Sequence, residues 1–155
     1  MPRHVYYYTQ VDQPYSALAP LLSGPPQQWL PQPVEASDDS WLVALHADGA
    51  LPRPLSTHTG LVTVAEASMD EASLLRSVSW RSAASDRIVP VLKADLELAP
   101  LADGCQLSLM GTYRPPLSVV GGAGDRLHGH RVAEACVRRF VLDVAERLAI
   151  ATLQA

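Results

Sequence analysis

The chain reads as an α+β domain in which a curved antiparallel sheet wraps around one long helix near the C-terminus. Three observations predict this. A β-like run from Cys105 to Tyr113 stops at Arg114-Pro115-Pro116, crosses a glycine-rich stretch and feeds a long amphipathic segment. A tyrosine-rich extended run opens the chain, and the middle is a series of short extended segments divided by turn residues. Such a sheet and helix often enclose a cavity, so the class of function in view is binding of an apolar small molecule.

The first strand is HVYYYTQVD, His4 to Asp12, with Val5, Tyr7, Thr9 and Val11 on one face and His4, Tyr6, Tyr8 and Gln10 on the other. Asp12 is the expected cap of a short helix that starts near Pro14, repeats Tyr15, Leu18, Leu21 and Leu22 at helical spacing and stops at Ser23-Gly24-Pro25-Pro26. A second short helical turn follows at Gln27 to Leu30, and Pro31 and Pro33 break the pattern. Extended segments are then expected at Trp41 to Ala47, Thr57 to Ala67, Leu74 to Ser82 and Val89 to Leu98. Turns at Asp48-Gly49, Ser68 to Glu71 and Ala83 to Arg87 divide them.

The last of these alternates, Leu92, Ala94, Leu96 and Leu98 against Lys93, Asp95 and Glu97, so one face is dry and one wet. Ala102-Asp103-Gly104 turns into the final strand, where Cys105, Leu107, Leu109, Gly111 and Tyr113 share a face. The long helix is expected to start between Asp125 and His130 and to run to about Ala151. Its apolar stripe is Ala133, Val137, Phe140, Val141, Val144, Leu148 and Ala151. Arg139, Asp143 and Arg147 stand four apart on its wet side.

Composition narrows the functions. A chain of 155 residues is expected to be one domain that buries roughly 70% of its unfolded surface. With 48% apolar and only 18% charged residues, it has a generous interior that can line a cavity. A net charge of −4 without a basic run argues against nucleic acid, and no stretch approaches the ~20 apolar residues of a membrane span. The opening residues lack a secretory leader, so a soluble, cytoplasmic protein is expected. Cys105 and Cys136 read as free buried thiols.

The order strand, two short helices, about six strands and one long helix resembles the helix-grip fold of the START-like (SRPBCC) superfamily, which includes plant allergen-type ligand binders and the polyketide cyclase/dehydrase group. The resemblance covers nearly the whole chain. It is carried by "HVYYYTQVDQPYSALAPLL" at the start and by "LSLMGTYRPPL" and "GDRLHGHRVAEACVRRFVLDVAERL" at the close. It implies about seven strands curved around the long helix, with a cavity between them suited to a lipid, sterol, polyketide or other apolar molecule. It implies no shared catalytic constellation and no cofactor.

The expected lining comes from the strand faces and the helix stripe. From the sheet these are Tyr7, Trp41, Val78, Trp80, Leu92, Leu96, Leu107 and Leu109, and from the helix Phe140 and Val144. For any one of them taken alone, packing in a closed core is the favoured reading. Arg76 shares the face of Leu74, Val78 and Trp80, and if inward it requires a partner, for which Glu66 is the expected residue. Its planar fork suits a ligand carboxylate or carbonyl. Tyr113 ends the last strand at the expected cavity mouth.

His128-Gly129-His130 is the nearest approach to a metal motif, but no third ligand stands nearby and no metal is expected. Gly121-Gly122-Ala123-Gly124 lacks the Lys-Ser/Thr of a phosphate loop. Binding of an apolar small molecule leads. The alternatives are a cyclase/dehydrase-type enzyme using Arg76, His58 or a cavity tyrosine, and a closed-core interaction module that pairs with another subunit, such as a homodimer.

Overall fold

The computed structural model describes residues 3–47, 50, 57–70, 72–83, 90–114 and 123–154, the side chains of 123–128 excepted. In chain order the elements are β1 (Arg3–Val11), α1 (Tyr15–Ser23), a 3-10 turn (Pro26–Gln28), β2 (Val34–Ser37), β3 (Ser40–His46), β4 (Thr57–Val64), β5 (Ser68–Met69), β6 (Leu74–Ser82), β7 (Val91–Leu101), β8 (Gly104–Arg114) and α2 (Ala123–Leu153). Seven strands form one antiparallel sheet in the order β1-β8-β7-β6-β4-β3-β2, and β5 adds a short pairing to β6. This is the helix-grip architecture.

Alternation decides which face is inside. β7 buries Leu92, Ala94, Leu96 and Leu98, and β8 buries Cys105, Leu107, Leu109 and Tyr113 on the same side. α2, about 46 Å long by its 31 residues, lays Ala133, Val137, Phe140, Val141, Val144 and Leu148 onto that face. Phe140 meets Trp80 edge-on, with ring centroids 5.1 Å apart. Near the far end of the helix, Arg147 Nη2 donates to Gln27 O at 3.2 Å beside the 3-10 turn. Arg139 and Asp143 pair at 3.0 Å on the surface, as the spacing predicts.

Two glycines shape the sheet. Gly104, with φ +141°, closes the β7–β8 hairpin, and a Cβ there would stand 2.3 Å from Val11 O. Gly111 lies so close to β7 that a Cβ would stand 2.5 Å from the Ala94 Cβ.

Several local expectations need correction. Asp12 does not cap α1. Pro14 is the N-cap in extended conformation, and its carbonyl accepts from Ala17 and Leu18 without any side-chain cap. The Ser68–Glu71 turn contains the two-residue β5, and the Asp70 carboxylate holds the reversal by accepting from the amides of Ala72 and Ser73 at 2.8 and 2.9 Å. Those amides lower its pKa from 3.8. β2 has no counterpart among the expected segments, and all four of its residues are exposed. α2 begins at Ala123, before the expected Asp125, because a glycine costs only about 1 kcal/mol in so long a helix. Val89, the Asp48-Gly49 turn, most of the Ala83–Arg87 connection and the Pro115–Gly122 stretch lie outside the described residues.

Candidate functional site

β3, β6 and β8 finish, and β1, β4, β7 and α2 begin, at one end of the sheet. From Tyr113 at that end, a single row crosses the inner face to the start of β3. Trp41 on β3 pairs with Val62, Val62 with Trp80, Trp80 with Leu92, and Leu92 with Tyr113. All five are buried. Four of them, Trp41, Trp80, Leu92 and Tyr113, are residues that the sequence put in the lining.

The row has a polar group near each end. The Trp41 side chain is only 3% exposed, yet its indole N–H has no acceptor among the described residues. A buried donor without a partner forgoes a hydrogen bond it would have in water, which makes it a place where an external acceptor gains most. Tyr113, 1% exposed, places its hydroxyl 2.5 Å from His130 Nδ1. Burial raises the Tyr113 pKa above 10; Arg3 opposes the shift and Glu134 adds to it.

His130 is held from its other side by Glu134, whose Oε1 meets Nε2 one helical turn on. The carboxylate accepts only, so Nε2 carries a proton in this arrangement and Nδ1 accepts from the Tyr113 hydroxyl. Tyr113, His130 and Glu134 therefore form a continuous string from the interior to solvent. His128 and His130 form a His-x-His pair in the sequence, but on a helix residues two apart face different ways. The signal for the true grouping was the i, i+4 spacing of His130 and Glu134. The His128 side chain lies outside the described residues, and the described residues contain no cluster of three metal-ligating groups.

Arg76 lies at the opposite end. It is inward and 6% exposed, but its hydrogen bonds go to the main chain rather than to Glu66. Nε and Nη2 donate to Ala65 O at 3.0 and 2.9 Å, and Nη1 donates to Leu22 O at 2.9 Å and Gly24 O at 2.6 Å. The guanidinium thus ties the carbonyl end of α1, where the helix dipole is negative, to the sheet. It also lies over the Trp29 ring at 5.6 Å. Burial lowers its pKa from 12.5, and the charge of Glu66 works against that shift.

The other expected lining residues fall on neighbouring rows of the same face. Tyr7, Leu109, Leu96 and Arg76 make one row, Leu107 pairs with Leu98 beyond it, and Val78 shares a row with Ala94 and Gly111. Val144 is fully buried on α2. Tyr7 also reaches outward, with Tyr6, Ala50, Arg131, Glu134, Ala135 and Arg138, to line a groove of about 520 Å³ beside α2. His58 is buried opposite Leu45. Cys105 and Cys136 are both buried; burial raises the Cys105 pKa, and its Sγ contacts Gln13 O at 3.4 Å. No described helix is long and apolar enough to cross a membrane.

Comparison with known proteins rests on structure. No family model matches the sequence, and no curated protein is similar to it at the sequence level. Among solved structures, the chain is similar to a STAR-related lipid transfer protein fragment from Xanthomonas axonopodis, with a TM-score of 0.54 and 18% identity over 98% of this chain and 86% of that one. It is also similar to Ara h 8.0201, with a TM-score of 0.51 and 11% identity over the whole of both chains. A START superfamily protein from Mycobacterium smegmatis has a TM-score of 0.49 and 13% identity over 97% of each chain. At these identities the first two likenesses show a shared fold.

Proposed function

We propose that the protein binds an apolar small molecule carrying oxygen acceptors, held between the concave sheet and α2 along the row from Trp41 to Tyr113. The observation that carries this reading is the buried indole N–H of Trp41, which has no partner among the described residues and stands in one row with the apolar Val62 and Leu92. An acceptor on a ligand would satisfy it, while the flat faces of Trp41 and Trp80 suit rings.

Side-chain size supports the same reading. Ala94 and Gly111 sit side by side in the next row, and Ala133, Cys136 and Val137 occupy the buried face of α2 between His130 and Phe140. Over the row, between the contacts of His130 with Tyr113 and of Phe140 with Trp80, the helix side chains are therefore short. Burial of ligand surface supplies the driving force, and the few polar groups set its orientation. The lipid-transfer name of the Xanthomonas axonopodis neighbour is compatible with this class of ligand.

Titration of intrinsic tryptophan fluorescence with fatty acids, sterols and multi-ring aromatic ketones tests the proposal. Saturable quenching by at least one class is expected, and Ala133→Phe, which fills space beside the row, abolishes it while the protein stays folded. Quenching that is absent throughout, or is unchanged in a folded Ala133→Phe, overturns the proposal.

A further inference from the structure

We propose that the outer face of the sheet is an interface for a second copy of this chain, docked face to face about a twofold axis that follows a groove across β8, β7, β6 and β4. This face lies opposite the one that α2 covers, so the proposal stands independently of the ligand reading.

The groove holds about 440 Å³ and runs across the strands. Its floor is the row Gly111, Ala94 and Val78, of which Ala94 and Val78 turn their side chains inward. One wall is the row Thr112, Lys93, Ser79 and Thr63, and the other is Met110, Asp95 and Ser77. Beyond the Lys93 wall the next outward row carries Arg114 and Val91, and beyond the Asp95 wall it carries Glu97. Arg81 follows Trp80, the partner of Leu92, and so stands on the Lys93 side. The face is therefore polarised along the strands, with Arg81, Lys93 and Arg114 on one side of the groove and Asp95 and Glu97 on the other. Among the described residues no ion pair joins the two sides. Asp95 and Glu97 accept instead from the hydroxyls of Ser77 and Ser73, at 3.0 and 3.1 Å.

A half-turn about the groove exchanges its walls. Lys93 and Asp95 flank Ala94 at about 3.4 Å along the strand on either side, so each comes to stand over the other in the second copy. Glu97 then faces the row of Arg114 and Val91. A twofold axis along either wall would set like charges together, so charge complementarity selects the groove as the axis. Packed sheets cross at about 30°, which leaves the residues nearest the axis best aligned, and these are Lys93 and Asp95. Apolar surface lies beside them. Met110 is 62% exposed, Tyr6 is its partner on β1, and the exposed rings of Tyr6 and Tyr8 lie 5.8 Å apart. From β1 to β4 and from Val91 to Glu97 the face measures roughly 24 Å each way, or about 1,200 Å² for two copies, the lower end of stable interfaces. A reversible dimer of micromolar strength follows from that size.

Sedimentation equilibrium across the micromolar range is the test, with circular dichroism to check that each variant is folded. Wild-type protein is expected to form a reversible dimer. Lys93→Asp and Asp95→Lys each bring like charges together twice per dimer and weaken association at least about tenfold. An equimolar mixture of the two variants is expected to recover wild-type association as a heterodimer, because their faces are then opposite in sign. If either reversal does not fold, Met110→Lys, which sets a cation against the Lys93 wall, decides by weakening the dimer to a similar degree. Wild-type protein that stays monomeric overturns the proposal. So does a dimer indifferent to the folded single variants, or a mixture of the two reversals that associates no better than either alone.

Discussion

Trp41 and Tyr113 stand at the two ends of one transverse row of the sheet, joined through Val62, Trp80 and Leu92. At about 4.8 Å per strand spacing they lie ~19 Å apart along the sheet, and less across its concavity. A ligand that reaches both polar groups is therefore elongated, with an oxygen toward each end. Replacing Trp41 with Phe keeps an aromatic ring and removes the unpartnered N–H. Ligand affinity should fall about tenfold, and stability should change by no more than ~1 kcal/mol. Calorimetric titration with the ligand, and urea unfolding without it, check the two halves. An unchanged affinity would mean that the indole does not face the ligand.

Arg76 is predicted to matter for stability. Its four hydrogen bonds satisfy carbonyls of Leu22, Gly24 and Ala65. Arg76→Met leaves those groups without this donor, and a cost of at least about 3 kcal/mol is expected. Arg76→Lys recovers only part of it, because an ammonium cannot reproduce the fork. The urea midpoint should drop with the m-value unchanged. A loss below ~1 kcal/mol would show that water replaces the guanidinium at α1.

Gly104→Ala tests the β7–β8 hairpin. The positive φ and the 2.3 Å approach of Val11 O leave no room for a methyl group. A loss of about 2 kcal/mol, or roughly 4–8 °C in Tm, is expected in a thermal melt.

Tyr113 sets an alkaline limit. Its folded pKa is raised above the ordinary value of 10, so the neutral phenol is favoured by folding. The associated stability is complete below the unfolded pKa of about 10 and is lost as pH rises through the folded value. In a titration at 295 nm, Tyr113→Phe should remove a step above pH 10, and its stability should fall less than that of wild type between neutral pH and that range.

Much of this was legible because alternation on long strands is a direct record of facing. Leu74–Ser82 agrees with β6 at both ends, and the alternation of β7 and β8 placed Leu92, Leu96, Leu107, Leu109 and Tyr113 on one face before any pairing was known. β2 was not legible, since four exposed residues carry no apolar period. The partners of Arg76 were hidden for a different reason. They are main-chain carbonyls, two of them more than fifty residues away, and a backbone oxygen has no sequence signature. The Tyr113–His130 contact likewise required the docking of α2 onto β8, which joins residues 17 apart across a turn of chain.

Native mass spectrometry of freshly purified protein, with solvent extraction and identification of whatever is released, decides whether a small molecule occupies the space between the sheet and α2. A reproducible one-to-one adduct of an apolar, oxygen-bearing compound, or uptake of one from the ligand panel, is expected, and it is lost in folded Ala133→Phe. Bare protein that takes up no member of the panel would contradict the binding reading.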